Sequence, residues 1–458
     1  MLGAYKMELY ARLVRDVTFP LISIREGLPG IRKHLRLFED QQYLSVERLR
    51  EIQWNKVKSI LRYAYQHTKY YKNKFDEYGI RPHDIKDYTD MTKLPILTKE
   101  DIRGSLTELV SSEYTINTLV SSHSGGTTGV YMKLFYSRDC LPIKRAATYR
   151  SEKWTGWDLG QKLVVIWPAL QDHDKVQSLR SKVKNALYNR MVMLPAATLD
   201  EKIMAEYASR IGSEKPKLIK GFANPVHLVA DYIIQNDIDL GFACNCITTG
   251  EPLYDHQRKA IEKAFHGKVF DSYGAREVSL IGQECERHEG YHINMECAFV
   301  EFVNDEGLHV PAGELGDILI TDLVNHGMPF IRYKINDKGI PALKTCDCGR
   351  GLELFGSVVG RDGDVLRRVD GGMVPPSTFL PYFISEGPQL GKFQVIQDKL
   401  DHILIKITDN PPPDERHFTF YRKTMKELFG DNVHVDFKIV KDIEREKSGK
   451  YRFSKCEI

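Results

Sequence analysis

The sequence has no apolar run near the roughly 20 residues that a membrane-spanning helix needs. Its opening stretch is interrupted by Lys6, Glu8, Arg12, Arg15 and Asp16, which excludes the continuous apolar segment of a signal peptide. A cytoplasmic location is therefore expected. Cysteine is sparse, with eight in 458 residues. That is too few for a disulfide framework, and it fits a reducing compartment in which clustered thiols stay available to a metal. An excess of one charge is also missing: 65 basic residues stand against 62 acidic ones, for a net charge of +3. This gives no electrostatic reason to expect nucleic acid as a partner. There is no internal repeat and no low-complexity tract, so solenoids and disordered linkers are excluded. What is present is globular, 42% hydrophobic and 28% charged, and long enough for several domains. Residues 1–25 mix Tyr, Leu and Val with basic side chains. Such a segment suits packing on its own domain, and peripheral attachment to a membrane surface is the alternative. Monomer and homodimer are both open.

Three regions follow from the patterning. Residues 1–112 read as helical. Ser45 is a helix cap, and Leu49, Ile52, Val57, Ile60, Leu61 and Ala64 then recur on one stripe. Residues 113–359 alternate strand-like runs, such as 163–168, 217–222, 246–249 and 268–271, with helical runs at 224–235 and 255–265. That rhythm predicts an α/β core with packed sheets and helical cover. Residues 360–458 shorten into strand-like runs at 393–397, 402–407 and 434–439 with one helix near 413–429, a small C-terminal α+β domain.

The most distinctive stretch is Ser121-Ser-His-Ser-Gly-Gly-Thr-Thr-Gly129, set between apolar-rich segments at 114–120 and 130–136. Ser124, Gly125, Gly126, Thr127, Thr128 and Gly129 carry only small, hydroxyl or absent side chains, so the backbone can approach a polyphosphate closely. A plain hairpin tip would have the same composition. Val130 follows Gly129, so the Gly-Lys-Ser/Thr ending of a P-loop is absent. Lys133 either adds charge there or is a solvated strand residue.

Five further stretches follow in order: Thr249-Gly-Glu-Pro-Leu253, Asp271-Ser-Tyr-Gly-Ala-Arg-Glu277, Arg332-Tyr-Lys-Ile-Asn-Asp337, Gly360-Arg-Asp-Gly-Asp364 and Lys447-Ser-Gly-Lys-Tyr-Arg452. Together the six resemble the motifs of the adenylate-forming superfamily of acyl-CoA ligases, adenylation domains and luciferases. Within it the chain most resembles the phenylacetate-CoA ligase branch, especially the CapK-like proteins of capsular polysaccharide biosynthesis. The resemblance covers nearly the whole chain and implies a large N-terminal domain with a small mobile C-terminal lid.

What the resemblance implies for the site is specific. Ser124 to Gly129 hold the β- and γ-phosphates of ATP. Gly250, Glu251 and Pro252 line the adenine edge, with Ser272, Tyr273 and Gly274 at the base. Glu277 holds Mg²⁺ as a hard oxygen ligand. Arg276, which departs from the usual small residue, reaches substrate or phosphate. Asp337 accepts the ribose hydroxyls, although Lys334, Ile335 and Asn336 replace the Arg-Thr-Gly common before it. Arg361 contacts ribose or phosphate, Asp364 is the hinge carboxylate, and Lys450 is the mobile catalytic cation. Trp167, Phe222, Ala223 and Asn224 are expected in the wall of the acid pocket. The plain readings are a strand-end aromatic for Tyr273, a turn for Asp337 and a surface lysine for Lys450.

Cys285, His292, Cys346 and Cys348 form a donor set suited to tetrahedral zinc, with His288 as a rival ligand and buried free thiols as the alternative. Some phenylacetate-CoA ligase-like proteins carry a similar set, and the implied role is structural. The expected activity is ATP-dependent activation of a carboxylic acid as acyl-AMP, with transfer to CoA or to an amine of a sugar or amino acid. An adenylyltransferase that stops at the AMP adduct and a non-catalytic ATP-binding scaffold are the rival readings.

Overall fold

The computed structural model describes residues 2–123, 132–167, 179–196, 199, 201–361, 365–370, 372–374, 376–383, 387–444 and 452–458. Helices dominate the beginning. Ser45 caps the helix Val46–His67 by accepting from the Arg48 N–H, which satisfies one of the open donors at the helix start. Leu49, Val57, Ile60, Leu61 and Ala64 are buried along one stripe. Burying each of the leucine, isoleucine and valine side chains contributes about 1.5–3 kcal/mol. Gln53, on the same face, donates to the Ala298 carbonyl at 2.7 Å and ties this helix to the main sheet.

The strands, in chain order, are β1 (Val120–His123), β2 (Lys133–Tyr136), β3 (Leu163–Trp167), β4 (Met191–Pro195), β5 (Leu218–Phe222), β6 (Asn245–Thr249), β7 (Val269–Ala275), β8 (Ser279–Glu284), β9 (Tyr291–Ile293), β10 (Ala298–Val303), β11 (Gly316–Asp322), β12 (Tyr333–Pro341), β13 (Leu354–Arg361), β14 (Leu366–Arg367), β15 (Met373–Val374), β16 (Phe393–Lys399), β17 (His402–Thr408), β18 (His434–Val440) and β19 (Ser454–Cys456). Strand β1 pairs antiparallel with β2, so Ser121 to His123 belong to a hairpin arm rather than to its tip. The large sheet runs β10-β11-β12-β13-β9-β8-β7-β6-β5-β3-β4. Its β4-β3-β5-β6-β7 half is parallel and the remainder antiparallel. The parallel half is buried by helices that include Glu201–Glu214, Ala223–Gln235 and Asp255–Phe265, as near-continuous apolar strands require.

A second sheet, β18-β17-β16-β19, carries the helix Glu415–Phe429 on one face. Asp414 caps that helix, while Tyr421, Met425 and Phe429 join Phe393, Val395, Ile403, Ile405 and Ile407 in a separate core. Tyr254 of the large sheet's region packs against this core. All eight cysteines are free thiols.

Candidate active site

The parallel strands β3, β5, β6 and β7 end side by side, and in such sheets ligands lie beyond the carboxyl ends. Phe222 at the end of β5 is opposite Thr249 of β6, which is opposite Ser272 of β7. Trp167, ending β3, meets the Phe222 ring edge-on at 4.7 Å. The sequence-predicted wall residues are therefore contiguous, except that Ala223 is fully buried. Glu251 follows β6 and accepts the Asn224 N–H at 3.0 Å, placing a carboxylate at the N-terminus of the helix Ala223–Gln235. Gly250 is required by the chain itself: it has φ +76°, and a Cβ there would meet the Phe222 ring at 2.9–3.1 Å. At Gly274 a Cβ would lie 2.7 Å from the Ser279 carbonyl, where the register between β7 and β8 shifts. That glycine accommodates the neighbouring strand.

Across the sheet, the Tyr273 hydroxyl donates to Asp337 Oδ2 at 2.8 Å. Asp337 on β12 is directly opposite Arg361 on β13. Burial and the Asp337 carboxylate both push the Tyr273 phenol up, so it stays a donor. Glu277 is buried and accepts from the Tyr333 hydroxyl at 3.2 Å. Among the described residues no lysine, arginine or histidine pairs with it. Arg276 is exposed and reaches toward the His123 carbonyl of β1 at 3.5 Å, while the Tyr136 hydroxyl of β2 donates to the Arg276 carbonyl. The two arms of the β1–β2 hairpin thus flank the end of β7. Lys133 is an exposed strand residue whose ammonium lies over the Phe135 ring of its own strand at 5.1 Å.

Residues 124–129, Asp364 and Lys450 lie outside the described residues, as does the Arg361 side chain. A narrow crevice separates the large and small domains, lined by Asn224, Glu251, Pro252, Tyr254, Arg452 and Phe453 among others. Tyr254 meets Phe453 edge-on at 5.4 Å. Sequence reasoning missed Tyr254, Gln257 and Arg452. The only available signal was their proximity to Pro252 and Lys450.

The metal-type donor set also converges. One ligand atom from each of Cys285, His292, Cys346 and Cys348 lies within 4.8 Å of the others. Cys285 Sγ is 3.6 Å from Cys346 Sγ, and Cys348 Sγ is 3.3 Å from His292 Nε2. A zinc tetrahedron with ordinary bond lengths has edges of roughly 3.5–3.8 Å. His292 Nδ1 faces the Leu352 carbonyl at 3.2 Å, which fixes that nitrogen as the donor and leaves Nε2 for a metal. Burial works against the Cys348 thiolate, yet donors from Arg350 hold its pKa below the ordinary value. The rival His288 instead faces Glu284 at 3.0 Å.

The sequence model of the CapK C-terminal domain matches residues 366–457. Over 425 residues the chain is 23% identical to protein CapK of Staphylococcus aureus, covering 90% of this chain and 91% of that protein. It is 24% identical to a phenylacetate-coenzyme A ligase of Thermus thermophilus, covering 84% and 86%. Against the Escherichia coli phenylacetate-coenzyme A ligase the identity is 27%, covering 70% and 73%. The chain is a homologue of CapK and of the phenylacetate-coenzyme A ligases.

Its fold is that of the adenylate-forming CoA ligases. A 2-hydroxyisobutyryl-CoA ligase in the postadenylation state, with an acyl-AMP bound, superposes with a TM-score of 0.72 at 17% identity, covering 90% of both chains. In its thioesterification state the same ligase superposes at 0.59, with 18% identity and 91% coverage of both chains. Within this fold the departures before Asp337 have local accounts. Asn336, at the common glycine position, keeps a left-handed turn at φ +66°, which asparagine tolerates. Lys334 pairs with Asp317 at 2.6 Å, and buried Arg332 is held by Glu301 at 3.1 Å and the Leu94 carbonyl at 2.7 Å.

Proposed function

We propose that the chain is an ATP-dependent, AMP-forming ligase that activates a carboxylic acid as its acyl-adenylate. The observation that carries this reading is the convergence of Tyr273, Asp337 and Glu277 beside the parallel strand ends. The acid carboxylate attacks the α-phosphorus of ATP; the new O–P bond forms as the bond to the bridging oxygen breaks, and pyrophosphate leaves with its electron pair. An acceptor nucleophile then attacks the acyl carbon and expels AMP. Positioning and charge neutralisation account for most of the catalysis of such transfers.

In this reading Tyr273 offers a ledge to adenine beside Gly250, Glu251, Pro252, Ser272 and Gly274. Asp337, held by the Tyr273 hydroxyl, accepts the ribose hydroxyls, with Arg361 across the strand pair. Residues 124–129 and Arg276 hold phosphate, and Lys450 neutralises charge between carboxylate and α-phosphate. Asp364 is assigned the role of hinge carboxylate. Glu277 fits Mg²⁺ as a buried carboxylate without a cationic side-chain partner among the described residues. When bound, the ion supplies charge neutralisation on phosphate oxygens. Zinc at Cys285, His292, Cys346 and Cys348 is structural and pins the β8–β9 turn against the segment before β13. Trp167, Phe222 and Asn224 contribute to the acid wall.

The likeness to phenylacetate-coenzyme A ligases favours CoA as acceptor, while the CapK likeness of residues 366–457 also supports an amine acceptor in surface polysaccharide synthesis. Pyrophosphate release, measured with ATP and a broad panel of carboxylic acids, tests the reading. Acid-dependent release supports it; tight ATP binding without release from any acid makes the chain a nucleotide-binding scaffold.

A further inference from the structure

The first helices present a face that no other described residue covers. Leu9, Leu13, Val17, Leu21 and Ile24 are 47–63% exposed. On an α-helix, steps of four residues drift by about 40° each. The wider π-helical turn Val14–Thr18 between the helices Leu2–Leu13 and Phe19–Arg25 takes up part of that drift, so the five residues form one stripe. The opposite face is fixed to the protein. Ala11, Val14 and Phe19 are buried, Phe19 stacks on Tyr188 at 5.0 Å, the Tyr10 hydroxyl donates to the Ala186 carbonyl at 2.8 Å, and Arg15 pairs with Asp158 at 2.9 Å. The stripe is therefore a rigid outward-facing feature. Val183, 52% exposed on the adjoining helix Leu179–Leu187, adds another apolar side chain to this region.

Charge is concentrated at the same place. Residues 1–41 contain seven basic residues (Lys6, Arg12, Arg15, Arg25, Arg32, Lys33 and Arg36) against five acidic ones (Glu8, Asp16, Glu26, Glu39 and Asp40). Arg12, Arg15 and Arg32 pair with Glu8, Asp16 and Asp158, while Arg25, Lys33 and Arg36 are exposed with no ion pair among the described residues. Lys182 precedes Val183 and is exposed, while Lys184 pairs with Glu26. An apolar stripe with basic side chains around it is suited to the interface of a membrane, where the aliphatic groups enter the acyl boundary and the cations meet anionic headgroups. A second copy is a poorer occupant, because a two-fold contact would bring two basic patches face to face.

We propose that the face formed by Leu9, Leu13, Val17, Leu21 and Ile24 docks this protein peripherally on an anionic lipid surface. The test uses the full chain with vesicles of phosphatidylcholine and phosphatidylglycerol at three to one, and with phosphatidylcholine alone, read by co-sedimentation. Association with the anionic vesicles is expected, weakening as salt rises. The pair Leu13→Glu and Leu21→Glu should cut association by at least about tenfold, because charge enters the acyl boundary. Arg25→Glu should weaken it by roughly fivefold or more, as removal of a basic contact to the surface implies. Pyrophosphate release in solution should be unchanged in both, since these residues are exposed and distant in the fold from β7 and β12. Equal binding to neutral and anionic vesicles, no vesicle binding, or equal binding by the Leu13/Leu21 variant overturns the proposal. A dimer in light scattering that the same variant converts to monomer, without vesicle binding, assigns the face to a second copy instead.

Discussion

Replacing Asp337 by alanine removes the group to which the account gives the sugar. In the structure its carboxylate accepts the Tyr273 hydroxyl at 2.8 Å, and a carboxylate offers about four lone-pair sites in all. Hydrogen bonds to a charged acceptor are each worth about 1.5–3 kcal/mol. Losing both ribose bonds should therefore cost about 3–6 kcal/mol, a fall of roughly 10²- to 10⁴-fold in kcat/KM for ATP. Asp337 is partly exposed, so melting should shift little, as for most substitutions outside a core. The assay is pyrophosphate release with ATP and with 2′,3′-dideoxy-ATP. The unsubstituted enzyme should discriminate strongly between the two nucleotides, and Asp337→Ala should treat them almost alike. Full discrimination by the variant, or undiminished activity with ATP, would refute the ribose assignment.

Other substitutions probe separate parts. Lys450→Ala should lose adenylation by about 10²-fold or more, since a charge aimed at the transition state is removed, while melting as the parent does; near-parental pyrophosphate release would contradict the role. Elemental analysis should find about one zinc per chain, in keeping with a four-ligand structural site, and Cys348→Ser should lower both metal content and melting temperature; a metal-free parent of equal stability would point to buried thiols. Burial pushes His227 down to about 4 from 6.5, although Asp231 lies 3.2 Å from its Nε2. Between those values the unfolded chain binds a proton that the native one does not, so native stability rises with pH across this window. The stability difference between parent and His227→Gln should therefore grow from pH 4 to 6.5 by up to about 3 kcal/mol and then level off. Parallel denaturation curves over the window would refute it.

Much of this organisation was legible in the sequence because it is local. Ser45 announces its helix, alternation and apolar runs mark β5, β6 and β7, and the ordered motifs locate Tyr273, Glu277 and Asp337. Long-range pairing was not legible. Nothing local says that β13 inserts between β12 and β9, and it is that insertion which sets Arg361 against Asp337. The demand for glycine at 274 comes from the Ser279 carbonyl of the next strand, and the tolerance of Asn336 from a backbone angle that composition does not encode. The Tyr254–Phe453 contact depends on how two domains meet, which no periodicity records.

The central claim is that a carboxylate oxygen attacks the α-phosphorus. Once the panel has identified an acid, labelling its carboxyl group with oxygen-18 and analysing AMP by mass spectrometry after acyl transfer tests this directly. The account predicts AMP carrying one label. Unlabelled AMP, or label recovered in pyrophosphate, would contradict it.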